Sequence, residues 1–470
     1  MSLRLRPLAI ALLLAGVAAP AAATDLVQAY DLARSGDPTL SIAESQTGIA
    51  AEGVVQSRAT LLPQVTGDIQ LDKSDGFSQG VDTQPDGSGG VVFGPSRGSS
   101  DTTARTSGIN IRQSIYDRAN WTRLGASRRR AEAAEADNES ASDALMVRVS
   151  EAYFNVLTKI ETLVASRSEV DAVKRQLDQA EKRLEVGLAP ITDVHEARAR
   201  YDSARANAIL AANSLDDAYE ALAEITGTPV DNLRGLAKDF TPRATDLRAS
   251  DEWVQLAIAS NPTIKSRELA LEAANKDVGT ARAGHWPTLS ASAGYQDREN
   301  WGTRTSNNFD FPASQLNAGT NFGLTLSVPI FSGFATQSKV REALHRRDIA
   351  ADQLEQQRRS VTRTTRSLHN ALAAGAAEVE ARRLAVVSAQ AAYEAGEAGL
   401  EVGTRTIVDV LIAQQQLFQA QRDYATARHA FLVNELKLKQ AAGILDVNDL
   451  EAVNRSLVTD ADAALDDSRM

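Results

Sequence analysis

Two periodicities divide this chain. Val65, Gly67, Ile69 and Leu71 alternate singly with Gln64, Thr66, Asp68 and Gln70. The same alternation sets Ile109, Ile111 and Ile115 against Asn110, Arg112 and Ser114, and Leu289, Ala291, Ala293 and Tyr295 against Thr288, Ser290, Ser292 and Gln296. It returns with Phe322, Leu324, Leu326, Val328 and Ile330 against Asn321, Thr325 and Ser327. Period two predicts strands with one apolar and one polar face, at about 64–71, 107–115, 288–296 and 320–330. Polar stretches, "DGSGGVVFGPSRGSS" and "DRENWGTRTSNNFDFPASQ", separate the members of each pair and read as loops. Residues 118–185 and 332–401 contain no proline and predict helices. Each would be about 100 Å long at the usual rise per residue. Beyond Gly187 and Gly403, helices at about 190–226 and 406–442 return. Their apolar seams step by threes and fours (Ile191, Val194, Arg198, Tyr201, Ala204; Ile407, Val410, Gln414, Leu417, Ala420), a heptad pattern that predicts coiled-coil packing. Nothing in the pattern explains the polar residues Arg198 and Gln414 on those seams.

The pattern occurs twice. "LEVGLAPITDV" from Leu184 and "LEVGTRTIVDV" from Leu400 agree at seven of eleven positions, an offset of 216. Upstream, Pro38 falls on Pro262 and Pro63 on Pro287 at offset 224, and Ile115 falls on Ile330 at offset 215. Repeats decide architecture, and here they give two structural repeats, 24–235 and 250–450, followed by an acidic tail, 451–470. Each repeat runs short helix, Asx-Pro break, helix, strand, loop, strand, long helix, returning helix.

Residues 1–23 combine Arg4 and Arg6 with the apolar run "LAIALLLAGVA" and a closing "AAA", the features of a secretory signal peptide. The run is short for a membrane-spanning helix, and no later segment is apolar enough for one. Exported strands of about nine residues with two unlike faces match the length that crosses a bilayer as β structure. Four strands cannot close a barrel, and open edges are not tolerated in lipid. Copies of the chain would therefore complete it together, with 8, 12 or 16 strands on the order of known barrels. The expected fold class is an α+β membrane protein: an outer-membrane β-barrel continued by a periplasmic α-helical coiled-coil barrel. Asp68, Asn110, Arg112 and Asn321 would line its lumen. A non-channel periplasmic helical-hairpin adaptor or scaffold, whose strands form an ordinary sheet, remains the alternative.

Composition narrows the chemistry. The absence of cysteine excludes disulfides and thiolate metal sites. The formal charge of −11 disfavours nucleic acid. His195, His285, His345, His369 and His429 have no ligand-like spacing, and no phosphate loop, nucleophile elbow or HExxH occurs. No catalytic residue, metal or cofactor is expected.

"VGLAPITDVHEARARYDSARAN", "VGTRTIVDVLIAQQQLFQAQRDYATARHAFLVNELKLKQAAG", the Asx-Pro breaks and "VPIFSG" resemble the TolC family of outer-membrane exit ducts, over nearly the whole chain after the leader. The resemblance implies a homotrimer, which selects the twelve-stranded barrel. It implies a passive conduit for type I protein secretion or multidrug efflux, recruited by a periplasmic adaptor (membrane fusion) protein and an inner-membrane ABC, RND or MFS transporter. Cargo would be an exported protein or a drug. It also places Asp409 at the periplasmic constriction, and makes Arg405 a gate latch to Thr192 and Asp193. Two positions depart from the family pattern: Ile412 replaces a second acidic residue, and Leu400 a tyrosine of the latch. By spacing alone, Thr406 and Asp409 also fit a helix capping box, and Arg405 an exposed turn residue.

Overall fold

The computed structural model describes residues 24–237, 240–242, 248–306, 309–461 and 465. The expected signal peptide lies outside the described residues. In chain order the first elements are α1 (Leu26–Gly36), α2 (Pro38–Ala59), β1 (Gln64–Pro85), β2 (Val91–Tyr116), α3 (Arg118–Glu185), α4 (Ile191–Thr226) and β3 (Arg234–Leu236). There follow α5 (Ser250–Ser260), α6 (Pro262–Ala283), β4 (Thr288–Ser306), β5 (Phe309–Pro312), β6 (Gln315–Ser327), α7 (Ala335–Glu401), α8 (Ile407–Ala441), α9 (Val447–Asn454) and β7 (Leu457–Asp460). None of the described helices is long and apolar enough to cross a membrane. The chain divides into two compact units, residues 1–46, 135–266 and 355–470, and residues 47–134 and 267–354.

The first unit is mainly helical and holds more than one apolar cluster. Tyr153, Phe154, Leu157 and Ile160 of α3 meet Leu222 of α4, Phe431 and Leu436 of α8, and Leu450 of α9, all buried. The Asx-Pro breaks are built alike. Asp37 accepts the N–H groups of Thr39 and Leu40, and Asn261 Oδ1 those of Thr263 and Ile264. Each thereby caps the helix that its following proline begins. Gly227 and Gly443, at φ 72° and 67°, close α4 and α8 against these breaks. A Cβ on Gly443 would stand 2.6 Å from Ser260 O, so only glycine fits there.

Outside the sheet, three expectations change. The segment read as an acidic tail carries the end of α9 and the whole of β7, and Val453, Leu457 and Leu465 are buried. α7 begins at Ala335 instead of 332, because Gly333 and Phe334 take φ 59° and 65°. α8 buries a second stripe, Leu411, Phe418, Ala425 and Leu432, beside the expected seam. Sequential sevens on both stripes mean that α8 is covered on two sides.

The second unit is built on an antiparallel sheet in the order β1-β2-β4-β6, with β5 extending the line of β6 along β4. Its strands outrun the alternation: β1 has 22 residues, β2 has 26 and β4 has 19. Beyond residue 72 both faces become mostly polar and the sequence signal disappears, but the ladder continues. The glycine-rich stretch read as a loop is largely strand, closed by a turn in which Asp86 accepts the N–H groups of Ser88 and Gly90. β6 stops at Ser327, short of the expected 330, just before Pro329 removes a donor. In the same unit, "SRRRAE" joins α3 to α6: Arg129 pairs with Glu272 at 2.9 Å and Arg130 with Asp277.

Candidate functional site

The first candidate is the pair of helix tips in the helical unit. Gly187 and Gly403 take φ 75° and 77° after α3 and α7. In the first turn, Leu188 N–H donates to Arg183 O at 2.7 Å and Gly187 N–H to Leu184 O at 2.9 Å. In the second, Thr404 N–H donates to Gly399 O at 2.8 Å and Gly403 N–H to Leu400 O at 3.3 Å. Both are Schellman turns, which need a left-handed residue. The two tips also pack together: Val173, Leu177 and Ala180 of α3 and Val194 and Ala197 of α4 share a cluster with Leu400, Ile407, Val410 and Leu411. Leu400, where the resemblance expects a tyrosine, is a core residue of this cluster, 8% exposed.

The helices that leave the turns start differently. α8 begins with a full capping box: Thr406 Oγ1 accepts Asp409 N–H at 3.2 Å, and Asp409 Oδ2 accepts Thr406 N–H at 3.0 Å and the Thr406 hydroxyl at 2.8 Å. These bonds from Thr406, with a smaller contribution from the Arg405 charge, hold the Asp409 carboxyl below its ordinary value, so it stays ionised. α4 has Pro190 at its N-cap, which offers no side-chain cap. Asp193 occupies the first turn there with no side-chain partner among the described residues. Arg405 lies over Gly399, where a Cβ would meet its Cγ at 2.7 Å. Among the described residues of one subunit, no hydrogen bond or ion pair joins Arg405 to Thr192 or Asp193.

Sequence reasoning missed a polar chain behind the tips. Gln176 of α3 donates to Glu397 of α7 at 3.3 Å, Tyr393 OH donates to the same Glu397 oxygen at 2.5 Å, and Gln414 of α8 donates to Tyr393 OH at 3.4 Å. Burial and Glu397 push the Tyr393 phenol up to about 12, so it stays a donor. This gives the seam residue Gln414 a partner, as Glu181 does for Arg198 at 3.1 Å. The only signal in the sequence was a polar residue on an apolar seam.

The second candidate is the sheet of the other unit. Register puts Val65, Ile69, Leu71, Ile109, Ile111, Tyr295, Phe322, Leu324 and Leu326 on one face. All are exposed, between 39% for Ile111 and 84% for Phe322. Contiguous exposed apolar surface of this extent marks contact with lipid or another chain. On that same face the apolar band ends where Lys73 pairs with Asp101 at 3.5 Å and Arg105 with Glu299 at 3.0 Å. The opposite face carries Asp68, Asn110, Arg112 and Asn321 together: Gln64 faces Arg112, Thr66 faces Asn110, and Gly294 lies between Asn110 and Asn321. A Cβ at Gly294 would meet Asn321 Oδ1 at 2.7 Å, so glycine leaves room for that amide. Among the described residues, β1 pairs only with β2 and β6 only with β4, which leaves both edges open.

Known proteins share this organisation. A family model described as outer membrane efflux protein matches residues 29–228 and again 253–444. The chain is 32% identical over 456 residues to the outer membrane protein TolC of Vibrio cholerae, covering 97% of this chain and 98% of the relative. It is 34% identical over 459 residues to TolC of Escherichia coli, 97% and 89% of the two chains. The alkaline protease secretion protein AprF of Pseudomonas aeruginosa is 27% identical over 439 residues, 93% and 88%. In fold, the chain resembles the crystal structure of VceC from Vibrio cholerae, with a TM-score of 0.69 and 20% identity over 89% and 96% of the chains.

Proposed function

The chain belongs to the outer membrane efflux protein family, and from that premise we propose that three copies close one twelve-stranded barrel and act as a gated exit duct of the Gram-negative outer membrane. The observation that carries this reading is the open, two-faced sheet. Its apolar face suits lipid, its polar face suits a water-filled lumen lined by Asp68, Asn110, Arg112 and Asn321, and its free edges need other strands. An adaptor or scaffold outside the membrane would leave that apolar face in water.

The duct serves type I secretion and drug efflux, passing an exported protein or a drug that the inner-membrane ABC, RND or MFS transporter and its periplasmic adaptor deliver. The chain itself performs no catalysis. Gating belongs to the helix tips. Three Asp409 carboxylates at the mouth attract cations and hinder passage when it is shut. Arg405 reaches Thr192 and Asp193 of a neighbouring subunit, where the uncapped Asp193 carboxylate is available. An adaptor opens the mouth by binding the open arrangement more tightly.

The test is extraction of the protein from outer membranes in detergent, cross-linking, and conductance in planar bilayers. A cross-linked trimer with discrete, cation-selective conductance is expected. A water-soluble protein that never conducts refutes the proposal.

A further inference from the structure

The two helix breaks of the first unit are built alike but completed differently. In the first repeat, a guanidinium fills the break: Arg148 of α3 pairs with Asp37 and donates to Thr39 Oγ1 at 3.1 Å. In the second, Asn261 stands for Asp37, and the counterpart of Arg148 at offset 215, Arg363, is exposed and makes no ion pair among the described residues. A cavity of about 350 Å³ remains beside this break. Ser140 and Asp143 of α3, Thr263 of α6, and Gln357, Ser360 and Thr364 of α7 are among its walls.

Asp143 makes this cavity more than a packing gap. Its side chain lies in the wall, the residue is only 9% exposed, and among the described residues it has no hydrogen bond or ion pair. The cations around it are paired with other carboxylates: Lys437 of α8, itself part of the wall, pairs with Glu151, and Lys265 of α6 lies 4.0 Å from Glu139. A desolvated carboxylate without a partner is costly and favours either protonation or a bound cation. Burial and Glu139 raise the Asp143 carboxyl to about 6, which still leaves it mostly charged at neutral pH. The space exceeds what one bare metal ion fills, since a water takes only about 30 Å³. The donors and acceptors around it suit a group with several N–H bonds, such as the guanidinium that occupies the first break.

We propose that this cavity is a binding site for a small organic cation of the alkylguanidinium class, with Asp143 as its counter-ion and the hydroxyls of Ser140, Ser360 and Thr364 accepting its remaining N–H bonds. The site is independent of conduction and can be measured on the full-length protein in detergent, so its failure would leave the duct reading untouched.

Titration calorimetry with n-butylguanidinium should show one saturable site per chain, unaffected by equimolar sodium or tetramethylammonium. Asp143→Asn should weaken binding about tenfold or more, the scale expected when a buried charge partner is removed. Thr364→Arg, which tethers a guanidinium inside the cavity, should abolish it and raise the unfolding temperature. Absence of saturable binding, equal competition by sodium, or unchanged affinity in either folded variant overturns the proposal. If Asp143→Asn does not fold, Thr364→Arg decides the question alone.

Discussion

His429 should make the helical unit acid-sensitive by a calculable amount. It sits on α8, 2% exposed, with its ring 5.6 Å from that of Phe154, its Nδ1 2.8 Å from Thr158 Oγ1 and its Nε2 without a hydrogen-bond partner. Burial, with a smaller push from the adjacent Arg428 charge, lowers its pKa from 6.5 to about 3. The folded chain therefore keeps the ring neutral where the unfolded chain protonates it. Stability from this group is complete above pH 6.5 and drains away as pH falls toward about 3. For that shift, linkage gives a loss of about 2 kcal/mol per subunit near pH 5 and about 3 near pH 4. Glu161, 3.6 Å from Nε2, works in the opposite sense: burial, outweighing the attraction of Arg428, raises its carboxyl, so acid relieves part of that cost. Comparing the wild type with His429→Phe separates the two effects. Phenylalanine keeps the contact with Phe154, and Thr158 retains its bond to Phe154 O at 2.8 Å. Urea unfolding followed by circular dichroism should show the wild type losing about 2 kcal/mol more than the variant between neutral pH and pH 5. Parallel pH dependences for the two proteins refute the argument.

Three further outcomes test the sites. Asp409→Asn keeps an acceptor for the α8 cap but removes the charge, whereas Asp409→Ala removes both; cation selectivity in bilayers should fall equally in the two, and an unchanged reversal potential in Asp409→Asn refutes the carboxylate ring. Arg405→Ser combined with Asp193→Ala should raise closed-state conductance, and equal conductance removes the latch. Arg428 donates to both Glu161 oxygens at 2.9 Å and to Ala237 O at 3.3 Å. Arg428→Met should therefore cost about 1–3 kcal/mol, because it strips a half-buried carboxylate of its charged partner, and adding Glu161→Leu should restore much of it in the same unfolding assay.

The chain was legible where one local rule decided the structure. Strands showed wherever one sheet face was apolar, and the Asx-Pro breaks showed because a cap and a proline act within three residues. The outer halves of β1 and β2 stayed hidden, since a ladder with two polar faces leaves no alternation to read. The acidic composition after residue 450 masked the end of α9 and β7, whose few apolar side chains are spaced too widely to form a pattern. Gln414 could not be understood from its own helix, because its partner Tyr393 lies on another. The seam reading of α8 assumed one covering neighbour and missed the second stripe. The tips fall between these cases. Their duplication was visible, and so was the Thr406-to-Asp409 spacing, but not its consequence. The same Schellman turn is followed by a self-capping carboxylate in one repeat and by a proline with an uncapped carboxylate in the other. A carboxylate already bound to its own helix end contributes charge but few free acceptor positions, whereas the uncapped one retains both. In the proposed gate, that difference in capping suits Asp409 for a fixed charge and Asp193 for a bond that can be made and broken. Transferring Pro190 to position 406 should convert Asp409 to the second kind, and would be felt first in how readily the mouth opens.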